Sequence, residues 1–119
     1  MTIRCKRAYE PAIPEDGYRA LVDRLWPRGL SREQLRLDAW LKELGPSHEL
    51  RRWFGHDRSR WDGFGERYRA EMAMPAQQRR LSELAQHARQ GTVTLVYGSR
   101  DKGRNNAVII AQVLEEMSG

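Results

Sequence analysis

The sequence predicts a single α/β domain whose small, largely parallel sheet is flanked by helices. The uncharged segment VTLVY at 93–97 is rich in β-branched and aromatic residues, which is typical of a strand covered on both faces. Helical stripes of apolar residues precede and follow this strand along the chain. A length of 119 residues suits one hydrophobic core, so we expect one domain over 1–119.

Two shorter strands are predicted before this central one. In TIRCKRAY, Ile3 and Cys5 alternate with polar Arg4 and Lys6, which predicts a strand with one buried face. The next segment, EPAIPEDGY, contains two prolines and a glycine at a spacing that neither a helix nor a central strand tolerates. YRALVDRLW then predicts a second strand, buried at its middle, that ends before a Pro-Gly break.

The middle of the chain carries two helix starts. Ser31 with Gln34 three residues later predicts an N-cap and capping box for a short helix. The segment LDAWLKELGPS fits either a strand or a helical face, and we favour a strand or extended segment because Gly-Pro ends it. Ser47 then caps a helix that ends at Gly55.

Three longer helices are predicted to pack on the sheet. Asp57 or Ser59 caps the first, Pro75 begins the second, and Asn105 or Asn106 caps the last. Their apolar stripes are Trp61, Phe64, Tyr68 and Met72, then Leu81, Leu84, Ala85 and Ala88, and finally Ile110, Val113, Leu114 and Met117.

Composition excludes several classes of protein. Cys5 is the only cysteine, so neither an internal disulfide nor a cysteine-based zinc cage can form, and the three histidines are too scattered for a metal site. We therefore expect no metal and no cofactor. No apolar run approaches the roughly 20 residues of a membrane span, so we expect a cytoplasmic protein that does not contact the membrane.

The predicted fold places two charged loops where α/β proteins usually bind ligands. These loops, DRLWPRGLS and YGSRDKGRNN, follow the second and the last strand, and they converge if those strands are parallel neighbours. Their positive residues are Arg24, Arg28, Arg100, Lys102 and Arg104. An anion could bind among them, or Asp23 and Asp101 could pair with them internally and hold the loops in shape.

We expect an anionic, phosphate-bearing small ligand at this edge. The candidate binding residues are Arg24, Trp26, Arg28, Arg100 and Asn105. The arginines would bind the anion, Trp26 would wall the site or stack on the ligand, Asp23 would orient an arginine, and Asn105 would cap the last helix. Catalysis is left open, with His56 or Asp23 as the proton-transfer candidate. The last loop lacks the Gly-Lys-Ser/Thr end of a Walker A loop, so ATP hydrolysis is not predicted.

Three long segments of the chain are unusual enough to indicate a family. KRAYEPAIPEDGYRALVDRLWPRGLS, LDAWLKELGPSHELRRWFGHD and VTLVYGSRDKGRNNAVIIAQVL closely resemble the YeaO-like branch of the DUF488 family of small bacterial and archaeal proteins. The resemblance covers nearly the whole chain and implies a compact α/β domain in the cytoplasm, without an established activity. More distant members often carry cysteines near the last loop, and this chain has none there, so thiol chemistry is not implied.

Two other functions fit the composition. A formal net charge of +5 with arginine dominant favours a nucleic-acid-associated protein that uses scattered arginines and exposed Trp53 or Trp61. A scaffold that binds another protein and no small ligand is the third interpretation, and an exposed apolar patch would support it. The sequence does not predict an oligomeric state.

Overall fold

A central strand taken from late in the chain organises the sheet. The computed structural model describes residues 1–118, and its four strands are β1 (Thr2–Arg7), β2 (Tyr18–Leu21), β3 (Ala39–Trp40) and β4 (Thr92–Tyr97). Their order in the sheet is β1-β4-β2-β3, and each neighbouring pair is parallel. The predicted α/β class is therefore confirmed, with every described pairing parallel.

The helices account for most of the remaining chain. They are α1 (Arg32–Leu35), α2 (His48–Phe54), α3 (Trp61–Met72), α4 (Pro75–Gln90) and α5 (Asn106–Ser118). Short 3-10 turns lie at Pro14–Asp16, Lys42–Leu44 and Arg58–Arg60. Among residues 1–118, no helix combines the length and the apolar character needed to cross a membrane.

Strand β4 is buried on both sides, as its uncharged sequence predicts. It pairs with β1 from Thr92 to Tyr97 and with β2 from Val93 to Val96. All residues from Val93 to Tyr97 are buried. The loops after β2 and β4 therefore leave the same edge of the sheet, as the placement of a site between them requires.

The two faces of the sheet differ in what covers them. One face carries the main core, in which Leu95 and Ala20 pack with apolar residues of α2, α3, α4 and α5. The other face carries a small cluster of Ala8, Leu21, Leu35 and Val96, which α1 and nearby loops cover. The stripes predicted for α3 and α4 are buried in the main core, except that Trp61 is half-buried and packs against it.

Side-chain caps set the helix boundaries as predicted. Ser31 and Gln34 form the expected capping box at the start of α1. Ser47 accepts a hydrogen bond from the Leu50 amide at the start of α2, and that helix ends at Gly55 in the left-handed conformation, with φ 52°.

Some details differ from the predictions. Cys5 does not lie on a buried face: its side chain is exposed and Ile3 is only half-buried, because β1 is an edge strand with one neighbour. In LDAWLKELGPS only Ala39–Trp40 is a strand, and the next residues form a 3-10 turn. Asp57 caps the 3-10 turn that leads into α3 instead of α3 itself. In α5, Met117 lies outside the buried stripe, since 38% of it is exposed.

A buried ionic triad stabilises the second face. The Asp16 carboxylate accepts hydrogen bonds from Arg19 Nη1 at 2.7 Å and from Lys6 Nζ at 3.0 Å. It also accepts from the Ile13 amide at 3.1 Å. Arg19 Nε donates to the Leu35 carbonyl at the end of α1. The triad thus ties two strands, the 3-10 turn before β2 and α1 together.

Candidate ligand-binding cavity

The cavity of interest opens at the edge of the sheet where β2 and β4 end. Its volume is about 720 Å³, which is within the range of small-molecule sites. Its lining comes from the loop after β2, from α2 and the residues after it, from Phe64 of α3, and from the loop that enters α5. The two loops predicted to converge do meet here, because β2 and β4 are parallel neighbours.

Positive charge dominates this lining. Five arginines line the cavity, namely Arg24, Arg28, Arg51, Arg52 and Arg104. Within residues 1–118, no carboxylate lies within 4.0 Å of any of these guanidinium groups. Only Arg24 is held by the protein, since its Nε donates to the Gly45 and Pro46 carbonyls at 3.0 and 2.9 Å. The other four guanidinium groups donate no hydrogen bond within the described chain, so their N–H groups can donate to a ligand.

Among the described residues 1–118, Asp23 is the only carboxylate that lines the cavity. Its Oδ2 accepts a hydrogen bond from the Gly98 amide at 2.8 Å, and its Oδ1 accepts from Asn106 Nδ2 at 3.0 Å. Burial raises the pKa of Asp23, and these two hydrogen bonds and the Arg51 charge offset only part of that effect. Asp23 therefore fixes the loop after β4 and the start of α5 against the end of β2.

The loop before α5 is shaped by its own side chains. Asn105 is the cap of α5, because its Oδ1 accepts a hydrogen bond from the Val108 amide at 3.1 Å. Asp101 accepts from the amides of Gly103 and Arg104, both at 3.0 Å. These hydrogen bonds lower the pKa of Asp101. The loop is thus held without an ion pair between Asp101 and an arginine of the cavity.

An apolar wall faces the arginines. Phe54 and Phe64 pack together with ring centroids 4.5 Å apart, and both line the cavity. Leu25 lines it too, although 62% of this leucine is exposed to solvent. His56 sits beside Phe54 with a backbone φ of 58°, a conformation that few residues other than glycine adopt.

The structure brings together most, but not all, of the predicted site residues. Arg24, Arg28 and Asn105 line the cavity, as do the two proton-transfer candidates Asp23 and His56. Arg100 and Trp26 do not. Arg100 is exposed on the loop that follows β4.

Trp26 packs into the protein instead of walling the ligand site. Its indole N–H donates to the Leu30 carbonyl at 2.7 Å, and its ring meets Trp40 edge-on with centroids 5.3 Å apart. Asp23 also differs from its expected role, since its side-chain hydrogen bonds in the described chain go to Gly98 and Asn106 and not to an arginine. Internal pairing of the loop charges, the alternative to an anion site, is accordingly not formed between Asp23 or Asp101 and the cavity arginines.

The polar residues of the lining that were not predicted from the sequence include Arg51, Arg52 and Asn106. The adjacent arginines of RRWFGHD were the available signal, since they precede the glycine that ends α2. Asn106 donates from its amide to the Val22 carbonyl as well as to Asp23. That contact spans 84 positions of the chain, so no local pattern reveals it.

The tryptophans proposed as stacking platforms for nucleic acid are both half-buried. The Trp53 ring has the guanidinium groups of Arg67 and Arg60 at 4.0 and 5.3 Å from its centroid. Trp61 stacks on Phe64 with an interplanar angle of 17°.

Comparisons with known proteins agree over nearly the whole chain. Residues 2–118 match the model of a protein family described as the inactive DUF488-N3 subclade. The chain is 43% identical over 118 residues to the uncharacterised protein YeaO of Escherichia coli, a match that covers 98% of this chain and 100% of that one. It is 39% identical over 112 residues to the uncharacterised proteins Rv3073c of Mycobacterium tuberculosis and Mb3100c of Mycobacterium bovis, covering 94% of this chain and 92% of each of those. No solved structure matches the chain.

Proposed function

We propose that this chain, which belongs to the inactive DUF488-N3 subclade, binds a phosphate-bearing or other anionic small molecule in the arginine-lined cavity and does not turn it over. The family match and the similarity to YeaO confirm the resemblance of the sequence motifs to YeaO-like DUF488 proteins. Binding is the function that the geometry supports best.

The charge of the cavity lining carries the proposal. Five arginines face one opening whose single carboxylate, Asp23, already accepts hydrogen bonds from the protein. Like charges gathered in this way repel one another, and an anion would relieve the repulsion while accepting paired N–H bonds from each planar guanidinium. A phosphate group carries enough oxygens to satisfy several of these donors at once.

Two observations favour binding over catalysis. Ser99 is the hydroxyl nucleophile available in the lining, but within residues 1–118 its Oγ accepts a hydrogen bond from the Asp101 amide and has no histidine partner. The solitary thiol, Cys5, lies on the edge strand β1 and is not part of the lining. The family is also described as inactive. We therefore expect occupancy without release of phosphate.

A thermal-shift titration with inorganic phosphate, sulfate and adenosine 5′-monophosphate tests the proposal. A ligand that binds only the folded protein stabilises it by about 2.7 kcal/mol at 100 times its Kd, which raises Tm by several degrees. We expect such a rise for the natural chain with at least one of these anions. The double variant Arg28→Ala/Arg104→Ala should lose most of it.

A charge-matched control separates a built site from general attraction of anions. Arg79 and Arg89 lie on the exposed side of α4 and do not line the cavity, so Arg79→Ala/Arg89→Ala removes the same formal charge elsewhere. We expect this control to keep the shift. Equal losses in both double variants, or no shift with any anion, would contradict the proposal.

A further inference from the structure

The apolar part of the cavity indicates what else the ligand carries. Resting on the proposed anion site, we propose that the ligand is an organic phosphate whose uncharged portion is a flat or apolar ring, and not a bare inorganic anion. The ring lies against Leu25, His56 and the apolar wall of Phe54 and Phe64. The phosphate lies among the arginines.

Size is the first argument. A cavity of about 720 Å³ is in the range that holds ligands of tens of atoms. A single phosphate group would fill a small part of it and leave the exposed Leu25 side chain of the lining in contact with water. A ligand that covers this leucine gains the free energy of apolar burial in addition to its charge contacts.

The exposed leucine at the opening is the second argument. Leu25 follows Arg24 directly, and 62% of it is in solvent although it lines the cavity. Phe54 and Phe64 lie in the same lining, and they are buried against other core residues. The cavity thus presents one exposed leucine and two buried phenylalanine rings, an arrangement that suits a ring placed between them.

The backbone conformation of His56 also supports a ring at this place. Both Gly55 and His56 adopt left-handed φ values, 52° and 58°, and the second is strained for a residue with a Cβ. Strain of this kind persists where a side chain is needed in one place. Here it holds the imidazole beside Phe54, with ring centroids 6.2 Å apart, on the lining of the cavity.

Asp23 adds a requirement for a hydrogen-bond donor. A carboxylate within an anion site repels an additional negative group, so it is unsuited to a ligand that is anionic throughout. Each Asp23 oxygen accepts one hydrogen bond from the protein and has capacity for another. A hydroxyl or N–H group on the uncharged portion of the ligand satisfies that capacity.

Isothermal titration with four probes of similar phosphate charge tests the inference. The probes are adenosine 5′-monophosphate, phenyl phosphate, ribose 5-phosphate and inorganic phosphate. We expect the two ring-bearing probes to bind about tenfold or more tightly than ribose 5-phosphate, as burial of about 50 Å² of apolar surface would give. Adenosine without phosphate should bind weakly or not at all, because it has no group for the arginines.

Variants of the two halves of the cavity separate this inference from the proposed function. Leu25→Asn and His56→Gly should bring the ring-bearing probes to the affinity of ribose 5-phosphate and should weaken inorganic phosphate far less than they weaken the ring-bearing probes. Arg28→Ala/Arg104→Ala should weaken all four phosphates.

If the natural chain binds the four phosphates equally, the ring inference is overturned and the anion site stands. Binding of none of them overturns both. A circular dichroism melt of each variant identifies any loss that comes from unfolding.

Discussion

Two groups of charged residues in this molecule, each with an aspartate and at least one arginine, differ in how their charges are paired. On the second face of the sheet, Asp16 accepts hydrogen bonds from Arg19 and Lys6, and the Arg19 and Asp16 side chains are only 4% and 2% exposed. At the cavity, Asp23 accepts from an amide N–H and an asparagine, while five arginines face an opening without a carboxylate partner in the described chain. We call the Asp16 group the closed group, because its charges pair with one another, although Arg19 Nη2 is buried without a partner in the described chain. We call the cavity arginines and Asp23 the open group, because a ligand can reach them.

The pKa values of the two aspartates express the same difference. Burial alone would raise the pKa of Asp16, but the hydrogen bonds from Ile13, Lys6 and Arg19 outweigh it and lower the pKa. Burial raises the pKa of Asp23, and its neutral hydrogen-bond donors offset only part of that effect. The lowered pKa of Asp16 is that of a carboxylate paired with cations. The raised pKa of Asp23 is that of a buried carboxylate that holds a loop through neutral donors.

Removing the central carboxylate of the closed group should have the largest effect on stability. Asp16→Ala leaves Lys6 and Arg19 without their shared partner, and breaking a buried ion pair on one side costs about 3 to 5 kcal/mol. We expect the free energy of unfolding in urea to fall by about that amount. Glu116→Ala, which breaks the exposed pair with Arg69, is the control and should leave the free energy of unfolding nearly unchanged. Comparable losses in both variants would show that the triad is no more than a surface pair.

Substitutions in the open group should lower the affinity for a ligand and leave the free energy of unfolding nearly unchanged. Arg51→Ala removes a half-buried guanidinium of the cavity that has no side-chain partner in the described chain. One lost hydrogen bond to a charged group costs about 1.5 to 3 kcal/mol, so the affinity for adenosine 5′-monophosphate should fall by about 10- to 150-fold in a titration. The urea midpoint should stay close to that of the natural chain. A large drop in the midpoint with unchanged affinity would assign Arg51 to the closed kind of group.

The two aspartates should give opposite pH dependence of stability. Because the pKa of Asp16 is lowered on folding, its contribution is present above its unfolded pKa of about 3.9 and is lost as pH falls through the lower folded value. The pKa of Asp23 is raised, so its contribution is present below about 3.9 and is lost as pH rises through the higher folded value.

Urea unfolding of the natural chain, Asp16→Asn and Asp23→Asn between pH 3 and pH 7 measures both effects. On acidification, the stability of the natural chain should fall relative to Asp16→Asn and rise relative to Asp23→Asn. Parallel curves for the two variants would remove the distinction between the aspartates.

The smallest effect is expected at the strained residue of the cavity. His56→Gly relieves a left-handed conformation worth about 1 to 2 kcal/mol but adds about 0.4 to 1 kcal/mol of flexibility to the unfolded chain. The net gain in unfolding free energy should lie between zero and about 1.5 kcal/mol. Gly55→Ala, at the adjacent left-handed position, should instead lose about 1 kcal/mol and is the matched comparison. A loss with His56→Gly would mean that the imidazole packs for stability.

Local chemistry made much of the fold predictable. The capping hydroxyls of Ser31 and Ser47, the terminal Gly55 and the uncharged β4 each act through neighbours a few residues away. Burial of Cys5 was not predictable in this way, because it depends on whether β1 is an edge strand, and strand order is a property of the whole chain.

The candidate site was predictable only in position. The rule that ligands lie beyond the carboxyl ends of parallel strands located the cavity correctly at the loops after β2 and β4. The directions of Trp26 and Arg100 depend on contacts such as the indole hydrogen bond to Leu30, and the contribution of Arg51 depends on how α2 packs. A residue's position in a loop next to the site therefore does not predict whether its side chain lines the cavity, because that depends on how the whole chain packs.

The order of the strands also constrains how the chain is synthesised. β1 and β2 are made first, yet their shared neighbour is β4, and Thr2 must wait for Thr92 before it can pair. Loop closure over such separations is slow. Most of the nascent chain is therefore synthesised before the sheet can form, apart from the two-residue pairing of β2 with β3. A chain stopped before residue 92 would leave two unpaired strand edges exposed, and such edges invite aggregation and chaperone binding. Assembly of the sheet therefore depends on β4, the strand that lies between β1 and β2.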